Sequence, residues 1–336
     1  MSVILATSNA ELFDVTIAGR ITTHTGTAQA RVDAENFEEI GLFLTSNTSS
    51  QTGFLTLPIT PSGDIAWIHF RMWFPPGAAG GAADGLLFSF QDSGDTNIGG
   101  VDITNGNFRA FAGNLIGGTY GAEYSYSTST TYTFDILVDT TGSNVTVSVY
   151  IDEELVSTAT RAVTVGPLSR FNLDLWDTIA VGETDAYGYM SDLIIDDTDS
   201  TIGRFLVNPA PTSDGSLAGF TGDYTDITTI GDANEITGVT NDSYSWNPAD
   251  YAGPDAGENC VAVVVQSGGE TGATGADGIS AVARIGGLNY YSASETFGAS
   301  TAFDTVQVFN QNPNTVAAWT IANLDAAEFG VRADAA

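Results

Sequence analysis

The 336-residue chain carries 41 acidic residues against nine cations, all nine of them arginine, for a formal net charge of −32. That balance excludes nucleic-acid binding and docking on an anionic membrane, both of which need concentrated Lys and Arg. Apolar residues at 43% exclude a disordered chain, the single Cys260 excludes an intramolecular disulfide framework, and the length suits two domains.

In chain order, residues 1–15 lack a basic leader, and their apolar run stops after Leu5 and Ala6, so no secretory signal is read. Residues 11–54 are Thr- and Ser-rich, with a strand expected near 40–44. Residues 64–74, DIAWIHFRMWF, are apolar on both alternating faces and predict a central strand, ended by Pro75-Pro76. The glycine-rich loop 77–85 precedes another strand, 86–90. It lacks the Lys-Ser/Thr ending and the following helix of a phosphate cradle. Short strands follow at 99–103, 107–111, 171–176 and 187–195.

The clearest stretch is 131–165. Tyr132, Phe134, Ile136 and Val138 alternate with polar residues, a turn follows at 140–144, and Val145, Val147, Val149 and Ile151 alternate again. This is the pattern of a half-buried antiparallel hairpin, and a second turn at Asp152-Glu153-Glu154 starts a third arm. A sheet with one apolar face must bury it against a second layer. The expected fold is all-β: two antiparallel β-sandwich, jelly-roll-like domains, over 1–203 and 204–336, with one short C-terminal helix.

The first domain resembles concanavalin A/laminin G-type jelly rolls in its strand order WIHFRMWF, LLFSF, YTFDILVD-turn-VTVSVYIDEE and YMSDLIIDDTDSTIG. Domains of this kind bind carbohydrate or pack against proteins. Beyond Gly203, a Pro/Ser/Gly-rich passage leads to Tyr244-Ser-Trp246-Asn-Pro248, to strands at 260–266, 278–285, 289–291 and 302–310, and to the tail WTIANLDAAEFGV. In that tail Thr320 is placed to cap a helix over 321–328, with Gly330 just beyond it. LVNPAPTSDG, SWNP and AAWTIANLDAAEFGVR resemble a C-terminal module of tailed-bacteriophage virion proteins. The resemblance implies an exterior structural component of a virion, a capsid decoration or a head or tail fibre, assembled in the host cytoplasm. Its implied partners are other virion proteins and further copies of itself. The alternative is an adhesin that binds a host surface glycan.

Catalytic signatures are missing: there is no zinc-spaced Cys/His cluster, no Gly-x-Ser-x-Gly elbow and no Glu-x-Asp-x-x-Glu strand motif, so no enzymatic activity is expected. His24 and His69 lie 45 residues apart, and a hydrogen-bonded structural role is expected for His69. Tyr120, Tyr124 and Tyr126 in GTYGAEYSYS are the candidate carbohydrate-binding residues, with Tyr290-Tyr291 a second aromatic group; cross-strand packing is the competing reading. Asp196, Asp197 and Asp199 are the candidate metal ligands, and Asp92 and Asp95 form a second acidic pair. Calcium is the one cofactor these oxygens would suit, against a turn-forming role.

Overall fold

In the computed structural model, the described residues are 3–7, 24–25, 27–32, 40–46, 53–74, 85–104, 106–114, 117–127, 129–175, 186–207, 209–227, 235–251, 259–273, 277–298 and 302–335. The glycine-rich loop 77–84, most of the segment 11–39 and the His24 side chain lie outside them. The chain divides into two compact units, Met1–Leu206 and Val207–Ala336.

The first unit contains β1 (Val3–Thr7), β2 (His24–Thr25), β3 (Thr27–Val32), β4 (Ile40–Ser46), β5 (Gly53–Pro58), β6 (Ile65–Phe74), β7 (Gly85–Asp92) and β8 (Asn97–Thr104). It continues with β9 (Asn107–Ala112), β10 (Thr119–Tyr120), β11 (Tyr124–Ser125), β12 (Thr130–Asp139), β13 (Asn144–Ile151), β14 (Glu154–Ala162), β15 (Leu168–Leu175) and β16 (Ala186–Asp196). Sheet I runs β14-β13-β12-β6-β16-β4-β3 with β1 beside β16, and sheet II runs β10-β9-β8-β7-β15-β5-β2 with β11 beside β9. The pairings within both sheets are antiparallel.

The expected hairpin forms in the register its pattern demands, Val138 opposite Val147 and Ile136 opposite Val149. Asp152 and Glu153 both take positive φ, 49° and 70°, which gives the two-residue turn a twist that matches the flanking strands. The inner face of sheet I presents Ile68, Phe70, Met72, Phe134, Ile136, Val147 and Val149, all fully buried. It meets Phe88, Phe90, Phe108 and Phe171 of sheet II, with the Phe70 and Phe88 rings 4.5 Å apart and those of Phe108 and Phe134 5.2 Å apart. Alternation thus becomes a sandwich: each strand turns one side inward, and two phenylalanines of sheet I lock against four of sheet II. At one edge β14 joins the layers. The Ser157 hydroxyl accepts from Ala110 N (2.9 Å) and donates to Ala122 O (2.6 Å).

The second unit contains β17 (Pro211–Ala218), a 3-10 turn (Tyr224–Ile227), β18 (Ser243–Pro248), β19 (Val263–Glu270), β20 (Gly278–Ile285), β21 (Leu288–Tyr291), β22 (Glu295–Thr296), β23 (Ala302–Phe309), α1 (Ile321–Asp325) and β24 (Glu328–Asp334). One sheet runs β17-β18-β24-β20-β21 with β22 beside β20, and β19 pairs with β23 in a separate two-stranded sheet. Val265, Ala281, Ala283, Phe309, Trp319, Phe329 and Val331 form the core.

Helix α1 is shorter than the expected 321–328. Thr320 caps it as anticipated, its hydroxyl accepting from Asn323 N at 3.2 Å, but Ala326 ends it and Glu328 already belongs to β24. Gly330 is therefore a strand glycine and not a helix stop. A Cβ there would stand 1.9 Å from Tyr244 O across the β18–β24 ladder.

Candidate functional site

The two faces of sheet II differ. Its inner face is a continuous apolar layer, whereas the outer face carries a row that crosses five strands. Cross-strand pairing aligns Asn172 with Ser89, Ser89 with Gly100, Gly100 with Phe111 and Phe111 with Tyr120. Because successive residues of a strand point to opposite sides, pairing to one another puts all five on the same face. Asn172 Nδ2 donates to Ser89 Oγ at 3.2 Å, and both residues are buried. Asn172 Oδ1 is buried with no hydrogen-bond partner. Gly100 leaves no open gap: a Cβ there would stand 1.9 Å from Phe88 O and 2.8 Å from the Phe111 ring, which fills the space beside it.

A second row lies alongside, made by Asp102 and Arg109. Arg109 places Nη2 2.7 Å from Asp102 Oδ2 and Nη1 3.5 Å from Glu123 Oε1. Its guanidinium carbon sits 4.1 Å above the Tyr120 ring, which is itself 6.4 Å from the Phe111 ring. Asn107 donates to Glu123 at 3.4 Å and accepts from the Ser125 hydroxyl at 2.6 Å. Phe111, Ser89, Asn172 and Asp102 are buried, so the accessible part of this face is the Tyr120 ring, the Arg109 guanidinium, Glu123 and Asn107. Sugar recognition uses groups of these types: an apolar ring face for stacking and bidentate partners for hydroxyls.

The three candidate tyrosines are not equivalent. Tyr120 is 37% exposed and belongs to this face. Tyr126 is buried and stacks on Phe108 at 4.4 Å, and burial, with Tyr132 beside it, raises its hydroxyl pKa. Tyr124 is half-buried in β11 opposite Phe108. Cross-strand packing therefore accounts for Tyr126. Arg109, Asp102, Phe111, Ser89 and Asn172 went unnoticed in the sequence because each is unremarkable in its own strand. Of the second aromatic group, Tyr291 lies under Arg332 at 4.0 Å and the Tyr290 hydroxyl donates to Asn314 at 2.6 Å.

The acidic candidates have protein partners. Asp196 Oδ2 meets Arg204 Nη1 at 2.7 Å, while Oδ1 accepts from Thr198 N (2.9 Å), Thr198 Oγ1 (3.1 Å) and Asp199 N (2.8 Å). Burial pushes this carboxyl pKa up, but Arg204 and the two amides outweigh it and hold it below the ordinary value. Asp197 points elsewhere and accepts from Ser62 N at 2.7 Å, and Asp199 is exposed. The cluster is a turn and ion-pair anchor, with Asp196 already neutralised by Arg204. Among the described residues no group of three or more His, Cys, Asp or Glu is arranged to hold a metal. Asp92 is likewise a loop anchor: it accepts from Gly94 N, Thr96 N and Gly166 N, each at 2.9 Å. His69 Nδ1 lies 2.9 Å from Asp135 Oδ1, which also accepts from Thr201 Oγ1 at 2.7 Å, so this histidine is a buried hydrogen-bonded group. Burial raises the Cys260 thiol to about 11, which leaves it a protonated, half-buried hydrophobe.

No protein-family model matches the sequence, and no curated protein does. Among solved structures the chain is similar to a carbohydrate esterase from the Shiga toxin-encoding bacteriophage phi24B, at 13% identity and TM-score 0.43, over 58% of this chain and 97% of that one. It is also similar to a cellulose-induced protein, Cip1, at 9% identity and TM-score 0.40, over 53% of this chain and 88% of that one. A sialidase matches at 17% identity and TM-score 0.39 over 48% of this chain, which spans 16% of the sialidase's length. The neighbours thus include a phage-derived protein. They also overturn one expectation. With chains named as sialidases and a carbohydrate esterase among them, the reading of this protein as lacking enzymatic activity is withdrawn. Likenesses at this level assign it no reaction.

Proposed function

We propose that this protein is an exterior component of a tailed-phage particle and that its first unit recognises a host-surface carbohydrate through the outer face of sheet II. The observation that carries the recognition reading is the accessible end of that face, where the exposed Tyr120 ring lies beneath the Arg109 guanidinium with the exposed Glu123 beside it, while Phe111, Ser89, Asn172 and Asp102 are buried. The particle assignment rests on the resemblance of the C-terminal tail, whose residues Trp319, Ala327, Phe329 and Val331 sit in the core of the second unit. Those residues specify a scaffold, which is what a module reused among virion proteins would share. The acidic coat suits such a role, since like charge keeps copies apart in solution and soluble.

A glycan array of host envelope polysaccharides tests the recognition reading. Wild-type protein should bind a defined subset, and Tyr120→Ala should weaken that binding roughly tenfold, the loss of one aromatic stacking contact and its cation partner. Equal binding by the variant would remove the outer face from consideration. Cryo-electron microscopy of particles from the source lysate tests the location, and absence of this chain from the particle density would refute it.

A further inference from the structure

The second unit, Val207–Ala336, has 16 acidic residues and only two cations, Arg284 and Arg332, and both cations converge on one tyrosine. Cross-strand pairing sets Tyr291 of β21 opposite Val282 of β20 and Asn289 opposite Arg284, while β24 places Arg332 opposite Ser280 and Glu328 opposite Arg284. Paired residues share a side of the sheet, as do alternate residues of one strand. Tyr291, Asn289, Arg284, Arg332, Glu328 and Asp334 therefore occupy the face opposite the core residues Ala281, Ala283, Phe329 and Val331.

Arg332 crosses β20 and sets its guanidinium carbon 4.0 Å above the Tyr291 ring. Arg284 reaches the same tyrosine from its hydroxyl end: Nη1 donates to Asn289 Oδ1 at 2.6 Å, and Asn289 Nδ2 donates to Tyr291 Oη at 3.2 Å. Val282 and Ser280 are fully buried beneath. Of the outer ion pair, the Asp334 side chain is 8% exposed and that of Arg332 31%, while Tyr291 is 39% exposed. Solvent thus meets an aromatic ring and a guanidinium, with the neutralising carboxylate below them. Asp334 takes Arg332 Nε at 2.5 Å, and among the described residues no acceptor meets the two terminal nitrogens of that guanidinium. Covering Val282 needs only the alkyl stem of an arginine. It does not need a tyrosine on the edge strand β21, fixed at both ring and hydroxyl.

The arrangement repeats the accessible end of the first unit's face. There the Arg109 guanidinium stands 4.1 Å from the comparably exposed Tyr120 ring, and its partner Asp102 is buried. The strands differ: Arg109 and Asp102 face each other across β8 and β9, whereas Arg332 and Asp334 are neighbours along β24. What recurs is the chemistry, an exposed ring under a guanidinium that a buried carboxylate holds in place.

We propose that the second unit carries a glycan-binding site of its own, in which a sugar ring lies against the exposed part of Tyr291 and its hydroxyls accept from the terminal nitrogens of Arg332. The inference rests on the carbohydrate reading and extends it to a second, separate contact. Arg332 is already neutralised and the surrounding unit is strongly acidic, so the sugar it takes is a neutral one. Ring stacking supplies the affinity and the guanidinium donors the orientation.

The test is stoichiometry. Isothermal titration calorimetry uses a one-repeat oligosaccharide cut from a host envelope polysaccharide that scores positive on the array. It is run on the full chain as wild type, Tyr120→Ala, Tyr291→Ala and the double variant. Expected are two sites per chain for the wild type with a neutral fragment, one for each single variant and none for the double. Tyr291→Phe keeps the ring and should keep both sites. Asn289→Ala frees the tyrosine hydroxyl without removing the ring and should weaken the second site roughly tenfold, which keeps the test decisive if Tyr291→Ala melts early. A single site that Tyr120→Ala abolishes and that Tyr291→Ala and Asn289→Ala leave unchanged overturns this inference and leaves the carbohydrate reading standing. Binding restricted to acidic fragments overturns it as well. A single site lost only in Tyr291→Ala upholds it and refutes the role given to the first unit. An array with no binder overturns both.

Discussion

Replacing Arg204 with alanine should destabilise the first unit far more than an ordinary surface substitution. Asp196 is fully buried and Arg204 is 14% exposed, so the variant leaves a buried carboxylate without its cation. Breaking such a pair by removing one partner costs ~3–5 kcal/mol. Three donors remain on Asp196 Oδ1, from Thr198 N, Thr198 Oγ1 and Asp199 N, so the lower end applies, about 3 kcal/mol. For a unit of this size ~1 kcal/mol moves the midpoint by roughly 2–4 °C, which gives a fall of about 6–12 °C. Differential scanning calorimetry of the full chain, with the second unit's transition as internal reference, measures it. The double variant Arg204→Ala with Asp196→Asn should recover part of the loss, because it removes the stranded charge. A fall below about 2 °C would refute the reasoning, which makes the ion pair an anchor of the segment 197–206. Chelator treatment supplies the companion result. Wild-type melting should not change in EDTA, whereas a drop would mean that Asp196 holds a cation the ion-pair account ignores.

Three further outcomes follow from the packing. Phe70→Ala opens a cavity among Phe88, Phe134 and Phe171, whose rings lie 4.5, 5.1 and 6.3 Å from it, and should cost about 3–5 kcal/mol in urea titration of the first unit. Gly330→Ala should abolish the second unit's cooperative melt while sparing the first, since the added methyl meets Tyr244 O; an unaltered melt would contradict the strand placement. Glu328 accepts from Ser216 N and Ser216 Oγ at 2.6 Å and from Ser245 Oγ at 2.7 Å, with Arg284 3.6 Å away. Burial raises its pKa, but these donors and Arg284 outweigh that and hold it below the ordinary value. Its stabilisation is thus complete above the unfolded value of ~4.3 and fades as pH falls through the lower folded value. Glu328→Gln should therefore flatten the second unit's stability profile between roughly pH 5 and 3, as thermal melts would show; parallel wild-type and variant profiles would count against it.

Much of the first unit could be read from local pattern. Alternation in 132–138 and 145–151 identified the buried face of β12 and β13, because a strand's side chains have period two whatever it pairs with. The apolar stretch 64–74 signalled a central strand, and β6 indeed lies between β12 and β16 with His69 buried on its outer side. Thr320 announced the start of α1 because a cap acts within one turn. Its end was misread because a glycine a few residues on is ambiguous. Whether Gly330 stops a helix or admits a neighbouring backbone depends on β18, about 85 residues earlier in the chain, at Tyr244 and Ser245.

What the sequence determined by itself was the chemistry each strand could offer: all-β layers, a carboxylate-rich coat and nine arginines for 41 acids. Tertiary structure decided which of those groups meet. Asn172 reaches Ser89 across 83 residues and Arg71 reaches Asp192 across 121, so the assembled face and its cross-strand pairs have no local signature. Strand order and register are set by the summed burial of whole faces, and that sum can be taken only once distant segments have paired.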